Sequence, residues 1–133
     1  MAIDAPSSNI GSEAPDLTGE ELKTIHRLMI RVRTFDERGM NLQRQGRINF
    51  YVPSTGQEAT QAGAAWAFEK DDWVFPSYRD PGVWMQRGAT LVEMAHQLFG
   101  NRADRIHGRQ MPNHYAFREF NLPSVSSPIA TQI

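Results

Sequence analysis

The sequence contains no cysteine, which excludes disulfides, a thiolate nucleophile and any cysteine-based zinc or iron–sulfur site. It also lacks an excess of charge of either sign, since 14 Lys and Arg residues stand against 15 Asp and Glu residues, giving a formal net charge of −1. A balanced chain has no long-range field that would attract nucleic acid or an anionic membrane. We therefore expect no nucleic-acid partner.

Long apolar runs are also missing. No uninterrupted apolar stretch approaches the ~20 residues that a membrane-spanning helix requires, so we expect no membrane segment. The first residues, from Met1 to Ser8, have neither the basic start nor the apolar centre of a targeting peptide. Together with the absence of cysteine, this pattern favours a cytoplasmic protein.

Strand signals are scarce as well. A parallel sheet that is buried on both faces needs several runs rich in Val, Ile and Leu. Only two candidates occur, the run Trp73-Val74-Phe75, which we predict as a short buried strand, and an extended stretch at 47–52. The sequence predicts an α/β protein in which this chain supplies mostly helices and long loops with few strands, and most of the sheet lies elsewhere.

Helix signals are clearer. Thr18 and Glu21 form a capping-box pattern, and apolar residues then recur at steps of three and four up to Phe35, which predicts a helix to about Gln45. A small-residue helix follows at 57–68, after a Ser-Thr-Gly turn at 54–56 that offers N-caps. A second capping box predicts a helix that ends at Gly100, with four residues turned inward: Leu91, Met94, Ala95 and Leu98.

The two ends of the chain differ from the rest. Residues 1–17 mix Pro, Ser, Gly and acidic residues without periodicity, and we predict a flexible arm there, followed by one structured portion at 18–133. At the other end, Ser127 and Pro128 have the pattern of an N-cap and a first helical residue. A helix that has barely begun does not hold by itself. We therefore predict that the chain is the N-terminal portion of a longer polypeptide, or one piece of a split one.

The stretch after Pro76 is the best candidate site. Arg79 offers five donors in a planar fork that matches two phosphate oxygens, and the neighbouring Tyr78 can donate a further hydrogen bond. An alternative interpretation is a surface turn in which Arg79 pairs with Asp80 or Asp72. A second candidate is the stretch after residue 100, which loses its periodicity for more than twenty residues and is either a ligand-wrapping loop or a solvated connector.

The sequence contains five blocks that, taken in order, match one known pattern. They lie at 50–59, 73–80, 100–104, 108–115 and 126–133. Together they resemble one family, the alpha subunit of the first, decarboxylating component of the 2-oxoacid dehydrogenase complexes, which are thiamine-diphosphate enzymes. The likeness runs from about residue 18 to the last residue, and it is greatest to the branched-chain type, with pyruvate-using relatives close behind.

The resemblance implies roles for several residues. Tyr78 and Arg79 would hold the diphosphate, and Ser127 with the backbone of Ile129 would lie against the aminopyrimidine side of the cofactor. Four residues match positions that bind potassium in branched-chain members: Ser126, Pro128 through its carbonyl, Thr131 and Gln132. Three residues would line the pocket for the 2-oxoacid side chain: Phe50, Met111 and His114. The family's Gly-Asp-Gly magnesium motif does not occur here, so we expect the magnesium ligands after residue 133, the alternative being that they are absent.

The implied fold is the N-terminal part of a thiamine-diphosphate-binding three-layer α/β/α domain. The implied activity is oxidative decarboxylation of a branched-chain 2-oxoacid or pyruvate, with transfer of the acyl group to a lipoyl group. The implied partners are a beta subunit, in a heterotetramer, and the lipoyl-bearing acyltransferase. In a eukaryote the resemblance implies the mitochondrial matrix. The alternative is a non-catalytic fragment that only associates with a complementary chain, and in either case we expect the chain alone to be inactive.

Overall fold

The structure is a computed structural model that describes residues 15–123. This range holds four α-helices: α1 (Gly19–Arg44), α2 (Glu58–Ala67), α3 (Pro81–Arg87) and α4 (Leu91–Phe99). A 3-10 helix follows at Arg118–Phe120, and a single antiparallel bridge joins Phe117 and Leu122. No strand occurs between residues 15 and 123. The prediction of helices and long loops with few strands is confirmed.

Two helices begin at the capping boxes that the sequence predicts. At the start of α1 the backbone N–H of Glu21 donates to the Thr18 hydroxyl at 3.3 Å, and the Thr18 N–H donates to the Glu21 carboxylate at 2.8 Å. Thr90 and Glu93 repeat the arrangement at the start of α4, with distances of 3.2 and 3.0 Å. Helix α4 ends at Gly100, which has the left-handed φ of 55° that favours glycine. Local sequence therefore defines both of these helix starts.

The core forms where α1, α2 and α3 pack against one another. Val32 on α1 and Trp84 on α3 are fully buried, and the Trp84 ring meets the ring of Tyr115 edge to face at 4.9 Å. Helix α3 was not predicted as a helix. Its sequence suggests only an apolar stretch, but Pro81 supplies the fixed φ of a first helical residue, and residues 81–85 are all buried.

Three parts of the sequence prediction are wrong in detail. The run Trp73-Val74-Phe75 is not a buried strand, because Trp73 and Phe75 are 65% and 68% exposed and only Val74 points inward. Its one recorded backbone bond runs from the Val74 N–H to the carbonyl of Asn121. Leu91, which was expected to point inward, is 41% exposed, and Leu22, which opens the predicted apolar repeat of the first helix, is 53% exposed.

Arg87 fixes the segment that leads to the candidate site. From the end of α3 its guanidinium donates to the carbonyls of Glu69 and Asp72, and to that of Lys70 at 2.8 Å. The loop that precedes residues 73–80 is thus tied to the helix that follows them. Among the helices of residues 15–123, none is both long and apolar enough to cross a membrane.

Candidate functional site

A tight turn presents the two residues of the best candidate site. The backbone N–H of Ser77 donates to the Asp80 carboxylate at 2.7 Å, and the N–H of Arg79 donates to the Ser77 hydroxyl at 3.2 Å. Helix α3 begins directly after Asp80, so the turn is rigid on its C-terminal side. Because Asp80 closes the turn, it does not pair with Arg79. No salt bridge to Arg79 occurs in the described part of the chain, and the ion-paired surface turn is not observed there.

Only one nitrogen of the Arg79 guanidinium forms a hydrogen bond to the described residues. Its Nη1 donates to the carbonyl of Pro53 at 2.5 Å, and its Cζ lies 5.4 Å from the centre of the Tyr78 ring. A guanidinium has five N–H donors. Between residues 15 and 123 the side chain makes no other hydrogen bond, although it is partly buried. The arrangement leaves a cationic fork free to bind an oxyanion.

His114 also packs against the ring of Tyr78. The two rings stack with centres 6.0 Å apart and an interplanar angle of 27°, and His114 is only 1% exposed. Its Nδ1 lies 3.0 Å from the carbonyl of Pro112, and since a carbonyl only accepts, Nδ1 carries a proton. In a neutral ring Nε2 is then an acceptor. That nitrogen is buried and has no partner among the described residues, so the position suits a donor group of a ligand.

Asn113 joins the two segments that carry the predicted substrate pocket. Its Nδ2 donates to the carbonyl of Val52 at 2.8 Å, while its backbone N–H donates to Gln97 Oε1 at 3.0 Å. Gln97 in turn donates from Nε2 to the carbonyl of Met111 at 2.7 Å. Met111 is 47% exposed, and Phe50, two residues before Val52, is half-buried. The sequence analysis missed Asn113, whose positive φ of 71° is the kind that Asn tolerates better than most residues.

Asp36 is a second residue that the sequence analysis missed. It is 1% exposed, and its carboxylate accepts from the Tyr51 hydroxyl at 2.7 Å, from the Ser54 N–H and hydroxyl at 2.6 and 3.2 Å, and from the Thr55 hydroxyl at 3.1 Å. Burial, followed by the bond to Asp36, raises the pKa of Tyr51 well above its ordinary value, so the phenol remains a donor. The predicted N-cap role of the Ser-Thr-Gly turn is wrong, because the N-cap residue of α2 is Gln57, and its side chain makes no capping hydrogen bond. The sequence does contain a signal for the role of Asp36, because this acidic residue lies four residues after Val32 and therefore on the apolar face of α1.

Six predicted site residues lie outside the described residues. They are the cofactor residues Ser127 and Ile129 and the predicted potassium ligands Ser126, Pro128, Thr131 and Gln132. Within residues 15–123 no group of three or more His, Asp or Glu side chains is arranged to hold a metal ion. The structure thus brings together Tyr78, Arg79 and His114.

An apolar groove lies elsewhere, between α1 and α4. It has a volume of about 360 Å³ and is lined mainly by apolar side chains such as Phe35, Leu42 and Leu98. None of the predicted site residues that the structure describes lines it. Among the described residues that line it, the polar side chains are those of Arg31, Thr34 and Arg38, and there is no carboxylate or histidine.

Comparison with known proteins gives a consistent result. The sequence model of the family described as "Dehydrogenase E1 component" matches residues 26–133. The mitochondrial 2-oxoisovalerate dehydrogenase subunit alpha 1 of Arabidopsis thaliana is 55% identical over 91 residues, which cover 68% of this chain and 19% of that protein. The mitochondrial alpha subunits from Mus musculus and Homo sapiens are 43% and 42% identical over 122 residues, covering 92% of this chain and 28% and 27% of those proteins. The chain therefore spans about a quarter of the length of these relatives.

Proposed function

The chain belongs to the dehydrogenase E1 component family, and on that premise we propose that it supplies the diphosphate-binding arm of a thiamine-diphosphate-dependent 2-oxoacid dehydrogenase. The observation that carries the proposal is the state of Arg79. One nitrogen of its guanidinium is anchored to the Pro53 carbonyl, and its other donors have no partner among the described residues. A planar cation presented in this way matches the oxygens of a diphosphate.

The residues present fit the cofactor. Tyr78 and Arg79 would bind the diphosphate, and Ser127 with the backbone of Ile129 would contact the aminopyrimidine side. The decarboxylation chemistry is supplied by thiamine diphosphate when it is bound. The part of this chain is to bind and orient the diphosphate and to exclude water around it. A magnesium ion would be held by residues after position 133, and the predicted potassium site comprises Ser126, Pro128, Thr131 and Gln132.

The substrate pocket would be formed by Phe50, Met111 and His114. The bond from Asn113 to the Val52 carbonyl brings their two segments together, which supports a common pocket. The Nε2 of His114 is buried and has no partner among the described residues, so it can form a hydrogen bond with a ligand. We propose that this wall contacts the side chain of the substrate. A branched-chain 2-oxoacid is the proposed substrate, since the relatives named above are 2-oxoisovalerate dehydrogenases.

The proposed partners follow from the family. The chain would act within an alpha subunit paired with a beta subunit in a heterotetramer, which passes the acyl group to a lipoyl-bearing acyltransferase. The similar proteins from Arabidopsis thaliana and Mus musculus are named as mitochondrial. The location of this chain remains a prediction, cytoplasmic or, in a eukaryote, the matrix.

The test is the affinity of the assembled enzyme for thiamine diphosphate. Arg79→Ala should weaken binding about 10- to 150-fold, the equivalent of the ~1.5–3 kcal/mol of a charge-assisted hydrogen bond. Arg79→Lys should fall between wild type and Ala, because an ammonium is a point charge without a planar fork. Arg27→Ala, at an exposed position on α1, is the matched control and should bind like wild type. An unchanged dissociation constant for Arg79→Ala would refute the proposal.

A further inference from the structure

We propose that Asp36 is a positioning residue for Arg79, acting through the peptide group between Pro53 and Ser54. This inference rests on the proposed role of Arg79 in binding diphosphate. Asp36 lies in the middle of α1 and Arg79 in the turn before α3, and no direct bond joins them. They are joined through one buried peptide unit.

The geometry of that unit is specific. The Ser54 N–H donates to Asp36 Oδ2 at 2.6 Å, and the Pro53 carbonyl accepts from Arg79 Nη1 at 2.5 Å. The carbonyl and the N–H belong to the same planar peptide group, which is trans, so they point in opposite directions. The peptide therefore lies between a carboxylate and a guanidinium. Its hydrogen faces the negative group and its oxygen the positive one, so each bond polarises the other favourably.

The carboxylate is suited to holding this loop. An ionised carboxylate only accepts hydrogen bonds and offers about four lone-pair sites. Asp36 receives four donors, one from Tyr51 on Oδ1 and three from Ser54 and Thr55 on Oδ2. An asparagine in its place would turn an NH₂ group towards one of these sets of donors. The peptide would then lose a charge-assisted bond and part of its orientation.

The orientation of this peptide restricts the Arg79 side chain before any ligand binds. A flipped peptide would remove the only acceptor that the described residues give to Arg79, leaving its long side chain free to move. With the peptide held, the guanidinium is fixed through Nη1 and its remaining donors have a set direction. Preorganisation of this kind improves affinity by lowering the entropy lost on binding.

A double-mutant cycle in the assembled enzyme tests this inference. Dissociation constants for thiamine diphosphate are measured by titration calorimetry at fixed magnesium for wild type, Asp36→Asn, Arg79→Ala and the double variant. We expect Asp36→Asn to weaken binding about 5- to 30-fold in the wild-type background, and by less than about twofold when Arg79 is already Ala. The inference is overturned if Asp36→Asn leaves the dissociation constant unchanged, or if it raises the constant by the same factor in the wild-type and Arg79→Ala backgrounds. Either result leaves the proposed diphosphate role of Arg79 intact. An unchanged constant for Arg79→Ala alone refutes the proposed function instead.

If the enzyme with Asp36→Asn fails to assemble, a milder variant tests the same inference. Thr55→Val removes one donor to Asp36 and should weaken binding about 2- to 5-fold, again only when Arg79 is present. Thr24→Val is the matched control, because the Thr24 hydroxyl bonds only to the carbonyl of Glu20 within its own helix, at 2.9 Å. It should bind thiamine diphosphate like wild type. Equal constants for the two threonine variants overturn the inference.

Discussion

The replacement of Gly39 by alanine tests the packing that holds the Asp36 network. Gly39 is buried in α1, and a Cβ at this position would lie 2.3 Å from Cε2 and 2.4 Å from Cζ of Tyr51. Such distances force the ring to move. The ring is fixed by its hydroxyl, which donates to Asp36, and by an edge-to-face contact with Phe35 at 6.3 Å. A displaced ring therefore loses the bond to a buried carboxylate.

Opposing effects set the size of the change. Alanine is better than glycine in a helix interior by up to ~1 kcal/mol. Overpacking costs ~1–3 kcal/mol, and losing a hydrogen bond to a charged group costs ~1.5–3 kcal/mol. We expect Gly39→Ala to lower the free energy of unfolding by about 2–5 kcal/mol. The two costs outweigh the helix propensity.

Gly63 on α2 is the matched control. It is exposed, and a Cβ added there would meet nothing within 4 Å, so Gly63→Ala should raise stability by ~0.5–1 kcal/mol. Urea unfolding followed by far-UV circular dichroism measures both variants against wild type. The two substitutions are chemically identical and should change stability in opposite directions. A Gly39→Ala chain as stable as wild type would show that the ring of Tyr51 is not held as described.

Two further predictions concern ion pairs and caps. Hydrogen bonds from the backbone N–H and the hydroxyl of Thr90, and then one from Arg105, lower the pKa of Glu93 from 4.5 to about 2. Because the folded-state pKa is the lower one, this stabilisation is present above pH 4.5 and is lost as the pH falls towards 2. Glu93→Gln should therefore unfold at lower urea than wild type at pH 7, and the difference should shrink below pH 4.5. Arg33→Met should lower the urea midpoint, since it leaves the carboxylate of Glu58, which is 6% exposed, without its 2.6 Å partner. Lys23→Met, which removes an exposed pair, should change stability by less than ~0.5 kcal/mol, and equal urea midpoints for the two Met variants would contradict this reasoning.

Local features of this fold could be predicted from sequence. A capping box needs two side chains three residues apart, so Thr18 and Thr90 could be recognised as helix starts without knowledge of the rest of the chain. The run at 73–75 shows where local reasoning fails. Three consecutive apolar residues are compatible with a buried strand, but whether their outer faces are covered depends on neighbours that no local pattern contains. In the described part of the chain, Trp73 and Phe75 are not covered.

The candidate site could be derived only in part from the sequence, for the same physical reason. Tyr78 and Arg79 are neighbours in sequence and belong to a recognisable motif, so the pair could be identified. Their supports come from far along the chain: the Arg79 bond to Pro53 spans 26 residues, and the Asn113 bond to Val52 spans 61. Hydrogen bonds to backbone carbonyls leave no residue-type signature at the acceptor. The acceptor of each of these hydrogen bonds could therefore be identified only from the structure.

The hydrogen bond from Arg79 to Pro53 matters because of the free energies involved in binding a diphosphate. A charge-assisted contact from Arg79 supplies ~1.5–3 kcal/mol, whereas micromolar affinity requires about 8 kcal/mol. Most of the binding energy for a diphosphate must therefore come from groups other than Arg79. Freezing a mobile Arg side chain costs up to ~2 kcal/mol, which is comparable to the whole contribution of the contact. The benefit of Arg79 thus depends on its being held before the ligand arrives, and the peptide that Asp36 orients is the group that holds it.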